Sequence, residues 1–172
     1  MRLRVLLLGA VCLVTACGSA SAGAPATPRV GARAGDVAPA IAGTTLEGHR
    51  VSLGAWHGSV VVVSFWASWC IPCQAEQTSV NTLARQEMPA GVHFLGVSLD
   101  VDAAAARSFL TRYAVPYQSL LDASQTLVLS YEVAGPPTTF VIDASGRVAA
   151  ELVGELNVSD LRAQVAAAQA SG

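Results

Sequence analysis

The chain contains no lysine: all ten of its basic residues are arginine. It supplies no Schiff-base amine, no phosphate-loop ammonium and no lysine to sit beside a thiolate. Charge of either sign is scarce, at 13% of residues, with a net of −2. Beyond residue 16, eight arginines face twelve acids, a net of −4, and no basic run is left. That distribution excludes the electrostatic footprint of a nucleic-acid binder. Histidine is limited to His49, His57 and His93, scattered along the chain, and methionine to Met1 and Met88. With so few soft ligands, neither a structural zinc site, which takes about four N/S donors, nor a copper-carrying module is expected. What is plentiful is apolar residues, 52% of 172, enough for one core with appendages.

The first appendage is an address. Arg2 and Arg4 precede an apolar run of twelve residues, Val5 to Ala16. As a helix it would cover roughly 18 Å, short of the ~30 Å hydrocarbon core, which suits a signal-peptide segment better than a span. The run ends in Val14-Thr15-Ala16-Cys17, which resembles a bacterial lipoprotein signal. That resemblance implies cleavage after residue 16 and a lipid anchor on Cys17, with several acyl chains giving a stable attachment. The alternative is cleavage near Ala20 or Ala22 and release as a secreted protein. Residues 17–35 are mostly Gly, Ala, Ser, Pro and Thr. Without apolar periodicity they read as a flexible tether of roughly 20–25 Å typical reach. The folded domain is expected over residues 36–172.

Of the four cysteines, Cys12 lies in the leader and Cys17 at its end, which leaves Cys70 and Cys73 in the folded part. An exported domain sits where disulfides persist. A bridge between residues three apart closes too small a loop to stabilise much by chain entropy. A redox-active dithiol is what remains.

Val60 to Trp66 is a continuous β-branched and aromatic run, the pattern of a strand buried on both faces. Pro72 suits the first turn of a following helix, which Val80, Leu83, Ala84 and Met88 continue until Pro89-Ala90-Gly91. Val92 to Leu99 reads as a second strand, completing a β–α–β unit. Ala106, Phe109, Leu110 and Tyr113 mark another helix, punctuated by Asp100 and Asp102, and a short helix is expected around Ser124 to Tyr131. Thr138–Ile142 and Arg147–Val153 flank Asp143-Ala144-Ser145-Gly146, a hairpin with Gly146 free to take a positive φ. Ser159 opens a closing helix with Leu161, Val165 and Ala168 inward. Ile41 to Leu53 reads as an additional hairpin ahead of all this. The expected order is hairpin, βαβ, α, α, ββ, α.

Phe65-Trp66-Ala67-Ser68-Trp69-Cys70-Ile71-Pro72-Cys73 resembles the W-C-x-P-C active-site segment of the thioredoxin superfamily. Gly135-Pro136-Pro137-Thr138-Thr139-Phe140 resembles its second signature, a loop carrying a cis-proline beside the disulfide. Their separation, with the extra Asp36–Leu53 segment, resembles the TlpA/ResA branch of membrane-tethered thioredoxins over about residues 36–170. The resemblance implies an α/β thioredoxin fold, a central mixed sheet flanked by helices with an N-terminal β-hairpin extension. It also implies that Cys70 and Cys73 form the redox-active disulfide and that Pro137 is cis.

At the mouth of a helix, Cys70 would be favoured as thiolate, the nucleophilic form. Cys73, further in, would resolve the mixed disulfide. Glu76 is three residues beyond Cys73 and four before Val80, hence on the core-facing stripe, where desolvation raises a carboxyl pKa. It is the candidate proton partner of Cys73, and the family resemblance agrees; Ser64 stands where thioredoxin itself carries an aspartate. Many relatives have proline two residues after that glutamate, whereas Thr78 stands here, which puts a family helix kink in doubt. Trp69 is expected on a hydrophobic rim near Cys70, and Trp66 in the core. No cofactor and no metal are expected.

The function implied is reduction of disulfides in extracytoplasmic proteins, with apocytochrome c as the family's commonest client and a membrane partner supplying electrons. The same chemistry run in reverse, an oxidase for secreted proteins, is the alternative. Ile71-Pro72 keeps the proline of reducing thioredoxins and lacks a cationic His. A peroxidase is disfavoured because Trp66-Ala67-Ser68-Trp69 replaces the Pro and Thr that precede a peroxidatic cysteine.

Overall fold

The structure is a computed structural model that describes residues 27–171. The leader, Cys17 and the first part of the expected tether lie outside the described residues.

Strand β3 (Val61–Trp66) organises the fold, and all six of its residues are buried. Its β-branched and aromatic side chains fill both faces, as a central strand requires. Strand β4 (His93–Ser98) pairs with it in parallel, Val61 opposite His93 and Trp66 opposite Ser98. On the other side β6 (Thr138–Ile142) runs antiparallel, with Phe65 opposite Thr138. Strands β5 (Gln118–Leu121) and β7 (Val148–Val153) complete a five-stranded mixed sheet in the order β5-β4-β3-β6-β7. A separate two-stranded hairpin, β1 (Ala42–Thr44) and β2 (Arg50–Ser52), precedes it.

The alternation of a strand's side chains sorts the core into layers. Val61, Val63 and Phe65 point to a cluster with Ile41, Leu95, Val97, Tyr131 and Phe140. Tyr131 is held there by its hydroxyl, which donates to Pro39 O at 2.7 Å. Val60 and Val62 face Val80, Leu83 and Ala84 of helix α1 (Ile71–Glu87) and Leu161 and Val165 of α4 (Val158–Ala170). Trp66 stacks on Phe109 of α2 (Ala103–Arg112), ring centroids 4.4 Å apart. A glycine at position 96 permits that placement. A Cβ there would lie 2.7 Å from Trp66 Nε1 and would also strike the Ser119 side chain. Helix α3 (Thr126–Ser130) is one short turn. Gly146 takes φ +79 in the β6–β7 turn. Among the described residues no helix is long and apolar enough to cross a membrane.

Two expectations need correction. Strand β5 was not expected: Gln118-Ser119-Leu120-Leu121 is four residues with neither alternation nor β-branching, and its strand character comes from pairing with β4. The expected tether also reaches too far. Gly31 N donates to Val37 O at 3.0 Å, Val37 N to Arg29 O at 2.8 Å and Gly35 N to Val148 O at 2.8 Å. Ala32 is only 3% exposed. Composition suggested too little apolar surface to order this stretch. Backbone hydrogen bonds to the sheet order it instead, which small residues permit and composition does not reveal.

Candidate active site

The sheet's topology brings several loops to one pole. Strands β3 and β4 end there, β6 begins there and β7 ends there. Leaving β3, the chain passes Ala67-Ser68-Trp69 and enters α1, whose N-cap is Cys70 (φ −78, ψ 107). Pro72 lies in the first turn, where its missing N–H is not needed. Cys70 and Cys73 are joined by a disulfide, with Cα atoms 5.2 Å apart. Cys73 N–H donates to Cys70 Sγ at 3.1 Å. This is the geometry in which orphan N–H groups and the helix dipole stabilise negative charge on sulfur.

Both sulfur residues are recessed, Cys70 at 4% and Cys73 at 1% exposure. Around them the pole is apolar: Trp69, Ile71, Val101 and Val153 are exposed large side chains, each next to a strand or helix end that converges here. Trp66, by contrast, is in the core. Pro137 follows a cis peptide bond and leads directly into β6. Its carbonyl accepts from Gly154 N at 2.9 Å, and Thr138 Oγ1 donates to Gly135 O at 2.8 Å.

Glu76 lies on the inner side of α1, as its spacing predicts, and is 8% exposed. One carboxylate oxygen accepts from Leu156 N at 2.7 Å, in the loop after β7. Its pKa is pushed up from 4.5 to about 7, chiefly by burial; the Leu156 hydrogen bond opposes this and the Glu155 charge adds to it. Next to it, Gln77 donates to Tyr117 Oη at 2.9 Å and to Asn81 at 2.8 Å. Burial pushes the Tyr117 hydroxyl up to about 12, opposed by that Gln77 bond and aided by the Glu76 charge. Ser64 sits on β3 opposite Thr139 and is nearly buried. Helix α1 is one continuous element through Thr78.

Asp100 was read from the sequence only as helix punctuation. That role belongs to Asp102, whose carboxylate caps α2 by accepting from Ala104 N. Asp100 is buried at 3% and accepts from Ser68 N at 3.0 Å, Ser68 Oγ at 2.7 Å and Ser98 Oγ at 2.8 Å. Gln74 Nε2 holds the remaining polar atom of Ser68, its carbonyl, at 2.8 Å. No local pattern distinguishes a capping aspartate from one that reaches across to another loop. The histidines stay apart from the disulfide: His93 stacks on Trp56 at 4.7 Å where β4 begins, and His49 lies in the β1–β2 turn.

Residues 33–165 match the Redoxin family. The chain is 31% identical over 121 residues to the thiol-disulfide oxidoreductase ResA of Bacillus thuringiensis, covering 70% of each chain. Its fold superposes with a TM-score of 0.74 on a Chlorobium tepidum protein described as a thiol:disulfide interchange protein DsbE, at 33% identity over 79% of this chain and 97% of that one. A secreted Mycobacterium tuberculosis disulfide oxidoreductase homologous to E. coli DsbE aligns with a TM-score of 0.67 at 27% identity, covering 74% and 95%.

The Glu76 environment gives a stability prediction. Its folded pKa lies above 4.5, so the contribution of its protonated form is full below pH 4.5 and is lost as pH rises through about 7. Glu76→Gln keeps an acceptor for Leu156 N but cannot ionise. Relative to the parent it should gain about 3 kcal/mol between pH 4 and pH 8, measured by urea unfolding of the oxidised protein. A parallel pH dependence of the two proteins would contradict the desolvated carboxyl.

Proposed function

This chain belongs to the redoxin family, in its TlpA/ResA-like branch of thioredoxin-fold thiol–disulfide oxidoreductases, and on that premise we propose that it reduces disulfides of extracytoplasmic proteins from a lipid anchor on Cys17. The observation that carries the reading is the disulfide at the mouth of α1, with Cys73 N–H aimed at Cys70 Sγ.

In the reduced protein Cys70 is the attacking thiolate. It displaces one sulfur of a client disulfide, forming a Cys70–client mixed disulfide and releasing the other client sulfur as thiolate. Cys73 loses its proton to Glu76 and attacks Cys70 Sγ. The second client thiolate leaves, and the Cys70–Cys73 disulfide described above is the product. Two electrons pass to the client, and a membrane partner returns two electrons to the pair. A carboxyl titrating near 7 is matched to this exchange at neutral pH. Trp69 and the cis-proline loop at Pro137 flank the pair, and an extended client segment lies across that apolar pole. The client of the reading is apocytochrome c, whose C-x-x-C-H haem site must be dithiol before haem attaches. Residues 1–16 are the signal, and the tether runs from Cys17 to the ordered segment that starts at Arg29.

Four measurements test this. Cys73→Ser freezes the exchange at the mixed disulfide. Apocytochromes on Cys70 support the reading, with a two-electron potential near −270 mV; a broad set of secreted proteins with a potential near −120 mV marks an oxidase instead, a separation of about 7 kcal/mol. Glu76→Gln should remove the inflection near pH 7 from the rate of the resolving step, and an unaltered pH–rate profile assigns no proton to Glu76. Globomycin should cause the precursor to accumulate; a precursor processed as before has no lipid on Cys17.

A further inference from the structure

Ser68 stands two residues before Cys70, and every polar atom it has is engaged. Its N–H and hydroxyl both go to the Asp100 carboxylate, and its carbonyl accepts from Gln74 of α1. Asp100 is anchored in turn at the end of β4, where Ser98 Oγ donates to its carboxylate at 2.8 Å and Asp100 N donates to Ser98 Oγ at 3.2 Å. Ser98 is fully buried and Asp100 almost so. Leu99 N bonds Trp66 O at 2.8 Å, so the two strand ends are stitched at the same level. The turn that presents Cys70 is therefore fixed by a buried carboxylate from a different loop. Neutral donors holding a carboxylate are strong, charge-assisted bonds.

We propose that Asp100 is a positioning residue for the redox pair: through Ser68 it locks the approach of Cys70 to the helix mouth, and its buried negative charge holds the equilibrium toward the disulfide. Asp100 is bonded to Ser68, two residues before Cys70, and a like charge on that turn disfavours a thiolate; the thiolate-bearing dithiol is the reduced partner of the couple. Removing the charge while keeping the shape shifts the couple toward dithiol. Removing the Ser68 hydroxyl keeps the charge and loosens only the turn. The other ionisable groups around this loop are Glu76, three residues beyond Cys73, Asp102 at the start of α2, and Arg112 and Tyr113, which line a groove of about 290 Å³ with Ser68 and Gln74. None of them hydrogen-bonds Ser68.

The inference rests on the reading that Cys70 and Cys73 are the exchanging pair. The experiment equilibrates the parent, Asp100→Asn and Ser68→Ala proteins in glutathione buffers, and follows Cys70 alkylation against pH. Asp100→Asn should move the equilibrium about tenfold toward dithiol, about 30 mV for a two-electron couple, and shift the alkylation profile to lower pH. Ser68→Ala should slow exchange with a peptide disulfide several-fold with its equilibrium within twofold of the parent. A folded Asp100→Asn protein with parental equilibrium and alkylation profile overturns the proposal, whatever its loss of thermal stability. Should Asp100→Asn not fold, Ser68→Ala exchanging at the parental rate overturns it. A parent that never cycles in these buffers fails the underlying reading instead.

Discussion

Everything at the redox pole depends on one strand being buried on both faces. Because β3 is enclosed from Val61 to Trp66, its end is a fixed point, and the three-residue turn after it can deliver a helix N-terminus to a defined place. A sulfur at such a terminus feels N–H groups that have no partner within the helix. The chemistry is thus set by backbone, with Cys73 N–H as the donor nearest Cys70 Sγ. A loop sulfur without this support would have only the reactivity of an ordinary thiol.

Two buried carboxyls stand behind that terminus in opposite circumstances. Glu76 has a single backbone donor, Leu156 N–H, against a large loss of hydration, and so binds a proton readily near neutrality. Asp100 has three donors, two of them on one residue, and serves to hold a turn in place. Burial alone does not decide what a carboxyl does in a protein interior; the number of fixed donors around it does.

Much of this was legible in the sequence. The buried strand, the helix opened by Pro72, the β6–β7 hairpin and the closing helix all declare themselves by periodicity and by turn residues, because in each the local preference and the tertiary role agree. The placement of Glu76 follows from helical spacing alone. Strand β5 was not legible, since four residues carry too little pattern and the neighbouring β4 edge decides their conformation. The same holds for Arg29–Asp36, which is ordered by main-chain bonds that any small residue could make. Asp100 escaped because its partner Ser68 is thirty-two positions away, beyond any local rule.

That N-terminal segment meets the sheet at Val148 and Gly146, where β3 begins, and the sulfurs lie where β3 ends. Six residues of strand separate the two, about 20 Å. The ordered chain therefore enters the fold at its heel: Arg29–Asp36 is bonded to the pole opposite the sulfurs, and none of its backbone hydrogen bonds reaches the sulfur-bearing face.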